Sequence, residues 1–315
     1  MSYKHPFGLG NGHISTIYAS YFRKIIPVKY KRERLTTPDQ DFIDLDWLQT
    51  KANKQKKLII LSHGLEGSSK GKYIQGMARY FSSRGFDALA WNYRGCSGEQ
   101  NLKIECYHSG ISSELEFIVE HAIKRYDQIY LIGFSLGRNL TLKYLGEKSR
   151  PNQIKAACVF STPVDLKSTA VQISSGLSKI YGKKFLATLI SKMRAKEKLL
   201  KKANIDIKNF DKVKNLIDFD HYFTAPIYGF ESGDDYYAKS SSLQFLKTIK
   251  TPTLIINALN DPFLGKPCYP TFEASQNPYI QLETPKTGGH VAFCSKNADG
   301  SYWSEQRAFR FINDL

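Results

Sequence analysis

Short apolar runs rich in β-branched residues recur along the chain, each bounded by turn-forming residues. They are KLIILSH (57–63), FDALAWNY (86–93), QIYLIGF (128–134), AACVFST (156–162), PTLIINAL (252–259) and YIQLET (279–284). Runs without polar alternation are expected of strands buried on both faces of a parallel sheet. Helical spacing separates them. Over residues 74–85, Ile74, Met77, Ala78 and Phe81 share one face before Gly85 stops the turn. Over 112–126, Leu115, Ile118, Val119 and Ala122 repeat the pattern. This alternation predicts an α/β sheet with helices on both faces. Ahead of it, residues 32–48 read as a strand pair around Thr37-Pro38-Asp39-Gln40, an antiparallel edge on the same sheet.

The alternation stops between Val164 and Thr248. Helical spacing dominates there, with Leu177, Tyr181, Phe185, Leu189 and Met193 on one stripe. The expected organisation is a core over 1–163, a helical lid insertion over 164–248 and a second part of the core over 249–315. An insertion between core strands is placed to cover the carboxyl edge of the sheet, where α/β enzymes keep their sites.

Gly133-Phe134-Ser135-Leu136-Gly137 follows one strand and precedes the helical residues 139–147. A serine at a tight strand-to-helix turn projects its oxygen clear of the sheet, and the flanking glycines permit so sharp a fold. At about 7% each for Gly and Ser, a chain of this length holds roughly 0.1 such matches by chance, so the strand and helix around it carry the weight. His63-Gly64-Leu65 follows another strand. There the Leu65 N–H, with that of Leu136, is positioned to hold a developing oxyanion, and His63 itself reads as a structural brace. A serine nucleophile needs a base, and the base needs an orienting carboxylate. In the expected order Ser, Asp, His, the carboxylate is Asp261, directly after PTLIINAL, and the base is His290, freed by Gly288-Gly289. His5 and His13 are N-terminal, His121 lies on a helix, His221 belongs to the insertion, and His108 precedes the serine and is expected only to line a pocket.

Taken together, GNGHISTIYAS (10–20), HGLEGSS (63–69), NYRGCSGE (92–99), YHSG (107–110), GFSLG (133–137), GFESGDDYY (229–237), INALNDPF (256–263) and GGHVAF (288–293) make the chain resemble the YheT-like branch of the α/β-hydrolases. That branch also takes in medium-chain ethyl ester synthase/esterases and lipid-acting α/β-hydrolase-domain proteins. The resemblance implies the α/β-hydrolase fold and a serine esterase with Ser135, Asp261 and His290 as triad, in agreement with the spacing. It implies a short- or medium-chain acyl ester as substrate, with transfer of the acyl group to an alcohol, or hydrolysis of a phospholipid or monoacylglycerol, as the alternatives. No cofactor or metal is expected. The family usually has a second glycine where this chain has Arg138, read here as a solvated side chain on the outer face of the helix.

Composition narrows the picture further. Of 315 residues, 45 are Lys or Arg and 29 Asp or Glu, a net charge of +16. Residues 179–214 hold 12 of the cations and three of the anions. A charge concentrated in one segment, without a binding module, argues against nucleic acid as partner. It suggests instead that Lys183, Lys192 and Lys196 either keep the lid soluble or rest on an anionic membrane. No run approaches the roughly 18 apolar residues of a membrane span, and the N-terminus lacks a signal-peptide core. Five scattered cysteines form no C-x-x-C pair. The expectation is a cytoplasmic enzyme, peripheral at most to the inner face of the membrane.

Overall fold

The computed structural model describes residues 2–315. Eight strands form one sheet in the order β1-β2-β4-β3-β5-β6-β7-β8. They are β1 (Lys31–Thr36), β2 (Phe42–Leu48), β3 (Lys57–Ser62), β4 (Asp87–Asn92), β5 (Gln128–Phe134), β6 (Ile154–Phe160), β7 (Thr253–Ile256) and β8 (Ile280–Glu283). The six runs expected as strands are β3 to β8, running parallel. The pair expected at the edge is β1 and β2, antiparallel to each other, with β2 antiparallel to β4.

That edge shows why a strand as charged as KRERLT forms at all. Register sets Arg32 opposite Asp46 and Arg34 opposite Asp44. Both arginines grip their partners with two bonds of 2.7–2.8 Å. Such forked ion pairs satisfy the buried carboxylates of β2, and an edge strand carrying charge resists pairing with other chains.

Helix α1 (Gly12–Tyr21) precedes the sheet. Helix α2 (Lys72–Ser82) and the terminal helix Trp303–Asn313 pack on one face, against Ile59, Leu61, Ile132 and Phe160. Helices α3 (Ser112–Ala122) and α4 (Leu136–Glu147) cover the other, against Leu58, Ile60 and Leu131. Because β3 pairs with β4 on one side and β5 on the other, the chain reverses its direction of build at the β3/β5 seam. Ligands gather outside the carboxyl ends of strands at such a switch point. Here the pairing of Ser62 with Gly133 sets the loop after β3 beside Ser135.

Between β6 and β7 the described chain contains helices only, among them α5 (Leu166–Ile173), α6 (Lys179–Arg194) and a helix at Gly233–Ser240. Met193 of the expected apolar stripe is buried, and Tyr181, Phe185 and Leu189 are half-buried against the core. Leu177 departs from it, 68% exposed. Of the basic residues named with it, Lys183 is exposed as expected, but two depart from expectation. Lys196 is buried and donates to the Asn101 side chain and the Lys103 carbonyl, both at 2.5 Å. Lys192 turns inward to Glu66 at 2.8 Å. Neither serves the outer face, because each finds an acceptor inside that a solvated lysine would lack.

Candidate active site

Ser135 stands between the end of β5 and α4, which begins three residues before the helix expected from sequence. Its backbone stands at φ 54°, ψ −120°, a conformation costly for a side-chain-bearing residue and typical of strain held at a functional site. The turn closes only because its neighbours are small. A Cβ on Gly137 would stand 2.5 Å from the carbonyl oxygens of Ser62 and His63, and one on Gly133 would stand 2.8 Å from Arg138 Cα. As the first residue of α4, Leu136 presents an N–H with no partner inside the helix. Neither it nor the Leu65 N–H has an acceptor among the described residues.

The residues singled out in sequence meet here. The Ser135 hydroxyl donates to His290 Nε2 at 2.8 Å. His290 Nδ1 donates to the Asp261 carboxylate, 3.0 and 2.9 Å from its two oxygens. Asp261 is buried and also accepts from the Phe263 N–H at 3.0 Å. The Phe263 ring lies 4.1 Å from the imidazole, centre to centre.

Sequence reasoning missed what holds the histidine loop. The His290 N–H donates to Thr16 Oγ1 at 2.9 Å, and the Gly289 N–H donates to Asn260 Oδ1 at 3.0 Å. Asn260 in turn donates to the Gly10 carbonyl at 2.8 Å. Ser161 accepts from the Val291 N–H at 2.9 Å. Thr16 and Gly10 lie in the stretch GNGHISTIYAS, whose resemblance to the family was the only signal for them.

A second clamp holds the loop after β3. Glu66 accepts from the Tyr107 hydroxyl at 2.6 Å and from Lys192 of α6 at 2.8 Å. His63 is fully buried, donating through Nδ1 to the Gly64 carbonyl at 2.8 Å and accepting at Nε2 from the Tyr93 N–H. Burial pulls its imidazole down to about 3, so it stays neutral as a brace. Arg138 overturns its expectation. It is wholly buried rather than solvated, and Nε, Nη1 and Nη2 all lack a partner among the described residues. Desolvation pushes its guanidinium well below the usual arginine range, opposed by the charge of Asp261. It lines neither cavity at the site.

Two cavities meet at Ser135 and His290. One, of about 120 Å³, runs under the α5–α6 region and is walled by Leu136, Ile173, Leu189, Leu216 and Phe219, with His108 at its side. The other, an open groove of about 890 Å³, runs between α1 and α6 past Ile17, Tyr21, Lys72, Ile180 and Lys184. Leu65, Phe185 and Phe263 border both.

A family model described as the alpha/beta hydrolase fold matches residues 57–296. The Escherichia coli (strain K12) protein YheT is 31% identical over 91% of this chain and 85% of its own. The chain belongs to the α/β-hydrolases, in their YheT-like branch. Monoacylglycerol lipase of Saccharomyces cerevisiae is 27% identical to this hydrolase, over 96% of this chain and 78% of its own. The fold also matches that of the Pyrococcus furiosus esterase Pf2001, with a TM-score of 0.57 and 16% identity, over 91% of this chain and 93% of the other. The hydrolase is thus an enzyme of the esterase type. No helix among its described residues is long and apolar enough to cross a membrane.

Proposed function

We propose that the chain is a serine carboxylic ester hydrolase acting on short- or medium-chain acyl esters. The observation that carries this reading is the 2.8 Å bond from Ser135 to His290 Nε2, with the ring's other nitrogen held by Asp261. Ser135 Oγ attacks the acyl carbonyl while His290 takes its proton. Asp261 keeps His290 in the tautomer that accepts at Nε2 and stabilises the imidazolium. The N–H groups of Leu65 and Leu136 receive the oxyanion. His290 then protonates the departing alcohol, and water resolves the acyl-enzyme by the same route in reverse. Every step uses the chain's own residues.

The smaller cavity receives the acyl chain. Its modest volume of about 120 Å³ and its apolar walls of Leu136, Ile173, Leu189 and Phe219 support the short-to-medium range. The open groove takes the alcohol portion, and the residues 164–248 act as the lid between the two. An alcohol entering the groove in place of water would make the enzyme an acyltransferase. A glycerolipid there would make it a lipid hydrolase, the reading that the likeness to a monoacylglycerol lipase favours. Labelling by a fluorophosphonate, lost in Ser135→Ala, with a chain-length series of 4-nitrophenyl esters, tests the assignment. Full labelling of Ser135→Ala would end it.

The enzyme also touches anionic membranes weakly, from the cytoplasmic side, through the basic lid, at the groove mouth where Lys184 is exposed rather than through the inward-turned Lys192 and Lys196. Tyr21, Leu177 and Ile180 are 64–69% exposed there, beside Lys70 and Lys184. Exposed apolar side chains among lysines suit an anionic interface. Co-sedimentation with anionic but not neutral vesicles at low salt is expected, and equal recovery in both supernatants would refute it.

A further inference from the structure

Two stretches that carry the family resemblance, YHSG (107–110) and GFESGDDYY (229–237), supply no group to the chemistry above beyond the hold of Tyr107 on Glu66. They meet at the wall of the acyl cavity. His108 packs on Tyr228, Phe230 and Tyr236, with ring centres 4.4, 5.6 and 5.6 Å apart. The Ser109 N–H donates to the Tyr236 hydroxyl at 3.1 Å. Asn139, one turn along α4 from Ser135, ties the first stretch to the end of the helix Gly233–Ser240 that carries Tyr236, by donating to the carbonyls of Ser109 and Ser240, at 2.9 and 2.7 Å. The wall is therefore fastened to the helix that carries the nucleophile.

Asp220 joins this wall from a five-residue π-helical turn, Asp220–Thr224. Such turns are rare and often mark functional sites. Its two oxygens accept from Thr224 Oγ1 at 2.7 Å and from the Tyr237 hydroxyl at 2.8 Å. Each carboxylate oxygen can accept more than one bond, so acceptor capacity remains. Two donors remain as well. His108 Nδ1 accepts from the Gly110 N–H at 3.2 Å, which places the ring proton on Nε2, and that N–H has no acceptor among the described residues. Nor has the Tyr236 hydroxyl proton. Burial keeps His108 neutral, pulling it down to about 3, so it donates without bringing a charge.

A carboxylate and two unused donors have no reason to line a cavity meant for plain hydrocarbon, because buried polar groups left unmatched are costly. A carbonyl on the ligand would satisfy only the donors, and an ammonium only Asp220. A hydroxyl does both. The geometry points to a hydroxyl-recognition subsite in the acyl cavity, built from His108, Asp220 and Tyr236, that selects acyl chains carrying a hydroxyl group. The inference rests on the esterase reading and on the acyl chain occupying this cavity.

The test compares kcat/KM for 4-nitrophenyl esters of one chain length, unsubstituted or carrying one hydroxyl at successive carbons. Sites that hydrogen-bond a substrate hydroxyl discriminate strongly against analogues lacking it. At least one isomer should exceed the unsubstituted ester by about ten- to a hundredfold, less than the largest known cases because Asp220 already holds two protein donors. In Asp220→Ala and in Tyr236→Phe that ratio should fall toward one. A ratio within each variant does not depend on how much of it folds. Calorimetric binding of the matching free hydroxy acids and plain acids to Ser135→Ala gives the same comparison without turnover, and so separates this subsite from the esterase assignment. No preference for any isomer in either measurement would overturn the subsite, as would a preference that survives in both variants. Loss of all ester turnover in the wild type, with the binding preference intact, would instead overturn the esterase reading alone.

Discussion

Replacing Arg138 with methionine should stabilise the protein. Arg138 is 0% exposed, and its three guanidinium nitrogens lack hydrogen-bond partners among the described residues. Each unsatisfied buried polar group costs about 1–3 kcal/mol. The cation also sits in the first turn of α4, where the helix dipole opposes it by about 0.3–1 kcal/mol. The field of Asp261 offsets part of this total. Exchanging buried ionic groups for apolar ones of similar volume gains about 1–4 kcal/mol in measured cases, and that is the range expected here. For 315 residues the entropy of unfolding at the midpoint is about 0.7 kcal/mol/K, so Tm should rise by about 2–6 °C. Thermal melts and urea titrations of wild type and Arg138→Met measure it, with an unchanged m-value showing that the same surface is exposed on unfolding. A fall in Tm of similar size would refute the reasoning, since it would mean the guanidinium has strong partners in solution.

Three further outcomes are expected. Ser135→Ala/His290→Ala should be little less active than Ser135→Ala alone, because members of a triad act as a unit; multiplied losses in kcat would show that His290 works elsewhere. Lys192→Met removes the tie from α6 to Glu66 and should lower kcat by about three- to tenfold as the Leu65 N–H loses its position, a small part of the roughly 10²–10³ lost with a whole oxyanion donor; an unchanged kcat would show the loop holds itself. Stability should stay nearly level from about pH 7 to 4.5 and fall steeply below about 4. Burial holds His63 and His108 down to about 3, so as pH drops below about 6.5 only the unfolded chain takes those protons and stability is lost. Burial raises Asp220 to about 6 and Glu114 to about 7, so the folded chain takes those protons first and stability is gained over much the same interval. Below about 4 the gain ends. Asp39 is held at about 2, where hydrogen bonding from Arg94 outweighs its desolvation, and Asp44 and Asp46 are lowered in the same way by Arg34 and Arg32, so protonating them costs stability. Denaturant midpoints from pH 7 to 3 follow this, and a steady decline from pH 7 would contradict it.

The sequence by itself determined the sheet and which residues to seek at its carboxyl edge. Unbroken apolar runs suit strands buried on both faces, and five of the six became the inner strands β3 to β7, while YIQLET, with Gln281 and Glu283 between its apolar positions, became the edge strand β8. The Ser135 turn was legible because its glycines are required by contacts with backbone that any chain would present, and Asp261 and His290 because each lies in the loop after a strand, five residues past β7 and seven past β8. Tertiary structure alone decided the rest. Lys192 and Lys196 look like solvated lysines in any helical pattern, and their inward acceptors, Glu66 and Asn101, lie 126 and 95 residues away. Arg138 looked outward-facing, since a cation is normally solvated, yet its stem lies against Gly133 and the whole side chain is buried. Thr16 reaches His290 across 274 residues, and His108, Asp220 and Tyr236 come together from three separated segments. Periodicity records which face of an element is apolar. It carries no information about which distant polar group that element will meet, because a hydrogen-bond partner is chosen by where the whole chain folds.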